Sequence, residues 1–207
     1  MFTGIIEQLG VVQSVEKTQA GVRLRVAAAG WGYRARRGDS VAVNGCCLTA
    51  VADAGSDGAM MFDAVPETLS KTTLGSFATG HSVHLEHAAM ATTLLGGHIV
   101  QGHVDGVGRV LSIDASDGWR VRLGLSAELM AYMAPKGSVC LDGVSLTLAK
   151  IDQKEGWIEV ALIPVTLEKT LLKGWSVGTS VNVEADVVAK TVVGYLRAFG
   201  VAGGGSS

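Results

Sequence analysis

The sequence predicts an all-β protein made of two tandem six-stranded antiparallel barrels, related by internal duplication, with an α-helix at the C-terminal end. Three observations give this prediction. Separate blocks of sequence recur at a constant offset of 98 residues, the difference between positions 4 and 102. Short alternations of apolar and polar residues, typical of half-buried strands, recur in both copies. After Asp186 the alternation stops, and apolar residues return at helical spacing.

The repeat pairs four blocks of the first copy with four of the second. The pairs are 1–15 with 99–113, 40–49 with 138–147, 66–72 with 164–170, and 80–86 with 178–184. A period on the order of 100 residues indicates duplicated domains rather than a solenoid. We therefore divide the chain into a first barrel (1–97), a second barrel (98–186), an oligomerisation helix (187–201) and a disordered tail (202–207).

Six strands are predicted in each copy, because each alternating segment is short and bounded by turn residues. They cover 10–15, 21–26, 40–43, 47–51, 59–62 and 82–86, then 108–113, 119–125, 138–141, 145–151, 157–162 and 180–184. Closing six such strands into a barrel leaves no sheet edge exposed. Short helices are predicted over 66–72 and 164–170, where proline takes the first helical position, and over 126–133, where Ser126 is the N-cap.

The segment 188–199 has no counterpart in the first copy. Its apolar residues share one helical face: Val188, Val192, Tyr195 or Leu196, and Phe199. This face either contacts a partner subunit or folds back on its own chain.

Composition argues against several classes of protein. A net charge of −2 and few, scattered aromatic residues do not make a nucleic-acid surface. The chain has no long apolar run and no basic N-terminal region, so we expect neither a membrane span nor a signal peptide. The three cysteines, Cys46, Cys47 and Cys140, form neither a disulfide framework nor a Cys-x-x-Cys zinc motif. These features predict a reduced, cytoplasmic protein.

The dipeptides Asn44-Gly45 and Asp142-Gly143 predict a type I′ hairpin turn in each barrel, with the tip near a pocket. After each turn the copies differ, because Cys47 of the first aligns with Ser145 of the second. The spacing of His98 and His103, with no third ligand nearby, is poor support for a metal site. His81, His84 and His87 are predicted to form an exposed face.

Five motifs in order resemble the riboflavin synthase family: MFTGIIE at 1–7, NGCCLT at 44–49, GGHIVQGH at 96–103, KGS with DGVSLT between 136 and 147, and VNVEAD at 181–186. The resemblance implies Greek-key topology, a homotrimer with active sites between subunits, and no metal or cofactor. It implies that two molecules of 6,7-dimethyl-8-ribityllumazine dismutate. One donates a four-carbon unit to the other, which gives riboflavin and 5-amino-6-ribitylaminouracil.

The resemblance also implies two substrate pockets. The first would use Cys47, Leu48, Thr49, Asp63, Ala64, Val65, Pro66, Glu67, Thr68, Gly102, His103 and Val104. The second would use Gly4, Ile5, Ile6, Ser145, Leu146, Thr147, Ala161, Leu162, Ile163, Pro164, Val165 and Thr166, with Lys136 near the junction. Val43, Pro66 and Val165 depart from the family pattern, and Val165 stands where the first copy has Glu67.

Catalysis begins, in this hypothesis, at the acidic 7-methyl group of the lumazine. His103 or His98 takes its proton, since imidazole is a base of suitable strength. Ser40 and Cys47 are candidates for activating water or adding to the acceptor ring. Asp142 and Asp186 orient these groups. Holding the two rings face to face can contribute about 7–11 kcal/mol.

Two alternatives remain. A lumazine-binding antenna protein has the same barrels and no activity, although such relatives lose parts of the GGH…GH and CLT motifs that are intact here. A flavin-dependent reductase would need a nicotinamide site, and no Gly-x-Gly-x-x-Gly follows a strand. An association with lumazine synthase is left open.

Overall fold

The computed structural model describes residues 1–116 and 118–200. The first barrel contains β1 (Gln8–Thr18), β2 (Gly21–Ala27), β3 (Ser40–Val43), β4 (Cys46–Thr49), β5 (Met60–Ala64) and β6 (Ser82–His87). The second contains β7 (Gly106–Asp114), β8 (Trp119–Gly124), β9 (Ser138–Leu141), β10 (Val144–Asp152), β11 (Trp157–Leu162) and β12 (Ser180–Ala185). All twelve predicted strands are confirmed, and every pairing is antiparallel.

The described part of the chain also forms four α-helices: α1 (Pro66–Lys71), α2 (Ala127–Met130), α3 (Pro164–Lys169) and α4 (Val187–Ala198). Proline occupies the first turn of α1 and α3, as predicted. Ser126 caps α2 by accepting a hydrogen bond from the Leu129 amide, but this helix is shorter than the predicted 126–133. Among the described residues, no helix has the length and apolarity needed to cross a membrane. The predicted disordered tail lies outside the described residues.

The two sheets share one strand order. In the first barrel the order is β4-β3-β6-β1-β2-β5, and the second barrel closes in the equivalent order β10-β11-β8-β7-β12-β9. β6 lies between β1 and β3, the kind of connection that a Greek key requires. The pairing of β10 with β11 closes the second barrel. The strand of the first barrel that is equivalent to β10 is β4, which is shorter and ends at Thr49. There, a bridge between Ala50 and Phe62 and one hydrogen bond from Val51 N to Met61 O (2.9 Å) join the two edges.

Each barrel has its own hydrophobic core. Leu24, Val41 and Phe62 are buried in the first barrel, and Leu123 and Ile158 are buried in the second. Burying each such side chain contributes about 1.5–3 kcal/mol. A third, small cluster of Phe2, Ala42, Val100 and Cys140 lies apart from both cores. Two separate cores are consistent with two domains, although the boundaries given above stay a prediction.

The barrels meet through a pseudo-symmetric set of hydrogen bonds. The Leu171 amide donates to Nε2 of His84 at 2.7 Å, and the equivalent Thr73 amide donates to Oδ1 of Asn182 at 2.7 Å. His84 Nδ1 lies 2.7 Å from the Asp142 carbonyl oxygen. The prediction that His84 belongs to an exposed face is therefore wrong, since the second barrel covers this face of β6. His81 is exposed as predicted, and His87 is half-buried.

The two Asx-Gly turns lie at this interface. Asn44 and Gly45 have φ values of 44° and 76°, and Asp142 and Gly143 have 46° and 87°, as a type I′ turn requires. Each Asx side chain accepts a hydrogen bond from the neighbouring strand of its own barrel: His84 N to Asn44 Oδ1 at 2.7 Å and Asn182 N to Asp142 Oδ1 at 2.8 Å. The Asn182 side chain of the second barrel also donates to the Asn44 carbonyl oxygen at 2.9 Å, so the turn at Asn44 helps to join the barrels.

Candidate active site

The residues that begin each repeat cross to the opposite barrel. The Ser145 amide of the second barrel donates a 2.8 Å hydrogen bond to the carbonyl oxygen of Gly4. The Cys47 amide of the first barrel donates an equivalent 2.8 Å bond to the carbonyl oxygen of Gly102. Each barrel is therefore completed by a short segment from the other repeat, at the position where the sequence predicts substrate.

A buried glutamate anchors each crossing segment. Glu86 accepts hydrogen bonds from the backbone amides of Thr3 and Gly4 at 2.6 and 3.0 Å. Glu184 accepts from those of Gln101 and Gly102 at 2.7 and 2.9 Å. Burial raises the pKa of both carboxyls above the usual range, although the amide donors oppose this shift. The site's backbone is thus held by charge-assisted hydrogen bonds.

Glycine is required where the segments cross. Gly4 and Gly102 have φ values of 76° and 79°, in the left-handed region that glycine adopts without strain. A Cβ atom on Gly4 would lie 2.6 Å from Ser145 Cβ, and one on Gly102 would lie 2.5 Å from Cys47 Cβ. In the GGH motif, a Cβ on Gly97 would lie 2.2 Å from the Thr3 carbonyl oxygen. Side chains at these positions would separate the segments from the barrels they complete.

A cavity of about 220 Å³, called the second-barrel cavity below, opens beside Ser145. Six of the residues predicted for the second pocket line it: Gly4, Ile5, Ile6, Ser145, Val165 and Thr166. Three residues that the sequence reasoning missed, Val144, Lys169 and Thr170, complete the lining. The available signal was the Pro-x-Thr-Leu-x-Lys-Thr pattern at 164–170, which repeats that at 66–72. Leu146 and Leu162 are buried, and Thr147, Ala161, Ile163, Pro164 and Lys136 are exposed.

His98 lies directly behind this cavity. Its Nδ1 is 2.7 Å from the Ser145 hydroxyl oxygen, and its buried Nε2 has no partner among the described residues. Burial lowers the pKa of His98 below its usual value, and the negative charge of Asp186 opposes that shift. The imidazole is therefore mainly neutral near pH 7, which leaves it able to accept a proton.

Asp186 also begins the C-terminal helix. Its carboxylate accepts a 2.7 Å hydrogen bond from the Val188 amide, as the N-cap of α4. Lys190 on the first turns of α4 makes a 3.0 Å ion pair with Asp105, which also accepts from the Ala185 amide at 2.8 Å. The start of α4 is thus fixed to the second barrel close to His98.

The first barrel places its predicted residues in the equivalent arrangement. Cys47 is half-buried beneath Gly102, Leu48 is buried, and His103 and Thr49 are exposed. Ala64 is buried, Thr68 and Val104 are half-buried, and Asp63, Val65, Pro66 and Glu67 are exposed. The Arg23 guanidinium, 2.7 Å from Asp63, lowers the pKa of that carboxyl.

Two predicted catalytic residues lie in other cavities. Ser40 lines one of about 430 Å³ with Tyr33, Asp39 and His87. Asp142 lines another, about 480 Å³, between the barrels. Burial raises the pKa of Asp142 to about 7. The structure does not bring these two side chains to the second-barrel cavity, and their catalytic roles stay a prediction.

The lumazine binding domain family matches residues 3–88 and again 101–186. This chain belongs to the lumazine-binding family. The double match also confirms the internal duplication.

Curated relatives within this lumazine-binding family carry the name riboflavin synthase. The protein from Mycobacterium tuberculosis (strain ATCC 25618 / H37Rv) is 44% identical over 202 residues, which cover 97% of this chain and all of the relative. That from Bacillus subtilis (strain 168) is 36% identical over 198 residues, covering 95% of this chain and 90% of the relative. The resemblance to riboflavin synthases is thereby confirmed.

A solved structure of LumP complexed with riboflavin has a TM-score of 0.76, with 24% identity over 89% of this chain and 99% of LumP. LumP complexed with 6,7-dimethyl-8-(1'-D-ribityl) lumazine has a TM-score of 0.75 at 23% identity, with the same coverage. At this level of identity, the likeness concerns the fold alone.

Proposed function

We propose that this chain is a riboflavin synthase, a transferase that dismutates two molecules of 6,7-dimethyl-8-ribityllumazine into riboflavin and 5-amino-6-ribitylaminouracil. One observation carries the proposal. Each barrel repeats a single local geometry, with Gly4 over Ser145 in one and Gly102 over Cys47 in the other. A reaction that uses two copies of one compound needs two similar sites, and this chain supplies them.

The two sites differ in the side chains that they offer for proton transfer and nucleophilic addition. The second barrel offers the Ser145 hydroxyl with the neutral imidazole of His98 behind it. In our proposal this pair takes a proton from the 7-methyl group of one lumazine. The first barrel offers the Cys47 thiol, the better nucleophile of the aligned pair, with the exposed His103 beside it. The thiol would add to the ring of the other lumazine, and His103 would shuttle protons.

An assembly of subunits would bring the two kinds of site together. The α4 residues Val188, Val192, Tyr195 and Phe199 are all more than half exposed, so this apolar face does not fold back on its own chain. In our proposal it packs against copies of itself in a homotrimer, and the first barrel of one subunit faces the second barrel of its neighbour. Association with lumazine synthase and a cytoplasmic location stay predictions.

A turnover assay without additives distinguishes an enzyme from a non-catalytic binding protein. The purified chain is incubated with dimethylribityllumazine alone, and riboflavin is followed by its absorption band. We expect riboflavin to form, and we expect Ser145→Ala to reduce turnover by about a hundredfold, a typical contribution of positioned proton transfer. The control Ser112→Ala, on an exposed position of β7, should match the wild type.

Binding of the lumazine without any formation of riboflavin would overturn the proposal and favour the non-catalytic antenna protein. Equal turnover by Ser145→Ala and Ser112→Ala would remove the Ser145–His98 pair from the mechanism.

A further inference from the structure

The imidazole of His84 lies between the two barrels with both ring nitrogens engaged. The Leu171 amide donates to Nε2 at 2.7 Å, so Nε2 is the unprotonated nitrogen, and Nδ1 donates to the Asp142 carbonyl oxygen at 2.7 Å. The residue is 2% exposed. Burial lowers the pKa of His84 to about 4, so the ring is neutral near pH 7 and keeps the lone pair that accepts from the Leu171 amide.

The Leu171 amide is next to the wall of the second-barrel cavity. Leu171 directly follows Thr170, which lines the cavity together with three residues of α3. None of the six residues of α3 is buried, and the helix contacts the second core through the half-buried Leu167. The segment after α3 therefore does much to fix the helix. Leu172 enters the core, and His84 holds the Leu171 amide from the first barrel.

The same contact occurs with the barrels exchanged, but through an asparagine. Oδ1 of Asn182 accepts from the Thr73 amide at 2.7 Å, and its Nδ2 donates to the Asn44 carbonyl oxygen at 2.9 Å. Thr73 comes two residues after the end of α1, as Leu171 comes two residues after the end of α3. Each barrel thus holds the helix of the other. The position requires one acceptor for an amide and one donor for a turn carbonyl, which neutral histidine and asparagine both supply.

We propose that His84, although it belongs to the first barrel, is a positioning residue of the second-barrel cavity. This inference rests on the proposed function, in which Ser145 and His98 act at that cavity. His84 is not among the residues that line the cavity, so it acts through the Leu171 amide and the adjoining Thr170. The contact keeps the wall formed by α3 in place relative to Ser145. The reciprocal contact holds the corresponding segment of the first barrel.

Hydrogen exchange tests the contact directly, and the two halves of the molecule are controls for each other. His84→Leu removes the acceptor, so the peptide 164–173 should exchange about tenfold faster while 66–75 stays at the wild-type rate. Asn182→Leu should give the reverse. His84→Gln places Oε1 where Nε2 lies, and should keep the exchange of 164–173 near that of the wild type. The control His81→Leu alters an exposed histidine of the same inter-barrel cavity and should change neither peptide.

Steady-state turnover connects the contact with the cavity. His84→Leu should raise the KM for dimethylribityllumazine by about three- to tenfold, the effect of losing one hydrogen bond that holds the wall. It should leave kcat within about twofold, because the wall binds the ligand and takes no part in proton transfer. His84→Gln should restore KM. A side chain that only filled space would be replaced by leucine as well as by glutamine.

The inference is overturned if His84→Leu speeds exchange equally in both peptides, if its KM equals that of an active wild type, or if His84→Gln behaves like His84→Leu. If His84→Leu does not fold, the wild type still tests the coupling, because bound riboflavin should slow the exchange of 164–173. Unchanged exchange with riboflavin bound would also overturn the inference. Failure of the proposed function is a different result, since then the wild type itself forms no riboflavin.

Discussion

Nδ1 of His98 lies 2.7 Å from the hydroxyl oxygen of Ser145, and this contact joins the GGH motif to the wall of the second-barrel cavity. In the first barrel, Cys47 stands at the position of Ser145, so the hydroxyl that contacts His98 is replaced by a thiol. In the proposed mechanism, this difference gives the two similar sites different proton chemistry.

The pKa of His98 should determine the pH below which turnover falls. Only the neutral imidazole accepts a proton, so turnover should rise with pH through a midpoint below 6.5, since burial lowers the pKa of His98 from that ordinary value of histidine. Asp186→Asn removes the negative charge that opposes the shift, so the midpoint should move lower still. A pH profile of kcat/KM for both proteins provides the measurement. A midpoint that moves upward would show that His98 is not the titrating group.

The thiol of Cys47 should contribute to turnover as a nucleophile, and the thiol of the neighbouring Cys46 should not. Cys47→Ser makes the first site resemble the second, and we expect turnover to fall by about tenfold because the hydroxyl is the weaker nucleophile. The control is Cys46→Ala, since Cys46 is buried and burial raises its thiol pKa to about 12, which keeps it unreactive. Steady-state turnover of both variants checks this. Full activity of Cys47→Ser would make the thiol dispensable.

Asp142→Asn should change how stability depends on pH. Burial raises the pKa of this carboxyl to about 7 in the folded chain from its ordinary value of 3.8, so the folded state holds this proton more tightly. Its contribution is fully present below about pH 4 and is lost as pH rises to about 7. Asparagine, which the first barrel has at Asn44, keeps the acceptor for the Asn182 amide and does not titrate.

Urea unfolding of both proteins between these pH values measures the effect. The stability of the variant relative to the wild type should increase as pH rises, by a few kcal/mol at most, because only the wild type then holds a carboxyl whose ionisation is opposed by burial. His84, whose pKa burial lowers to about 4, contributes equally to both proteins and cancels in the difference. A difference that does not vary with pH would contradict the burial of an ionisable Asp142.

Gly102→Ala should destabilise the chain by two separate effects. Its φ of 79° strains alanine by about 1–2 kcal/mol, and its Cβ would lie 2.5 Å from Cys47 Cβ. Gly30→Ala is the matched control, because Gly30 has φ 78° with nothing within 4 Å of the added Cβ. Chemical denaturation should show a loss of about 1–2 kcal/mol for Gly30→Ala and about 1–3 kcal/mol more for Gly102→Ala. Equal losses would mean that the crossing segment tolerates the clash.

Period-two alternation located every strand because each barrel buries one face of its sheet. The same rule failed at His84, since the opposite face of β6 is buried by the second barrel, and a sequence pattern does not show which barrel surfaces meet. The residues that cross between barrels, Gly4 and Gly102, came from family resemblance rather than from the residues themselves. Lys169 and Thr170 were missed because they follow the run 161–166 that the resemblance implied.

In the proposed reaction, two molecules of one compound meet in this protein and one donates a four-carbon unit to the other. Equal amounts of unlabelled dimethylribityllumazine and the same compound carrying carbon-13 at C6, C7 and both methyl groups would be supplied together, and the riboflavin analysed by mass spectrometry. The account predicts unlabelled, half-labelled and fully labelled riboflavin in a ratio of about one to two to one, because each reacting pair is drawn at random. Absence of the half-labelled species, or binding with no riboflavin at all, would contradict it.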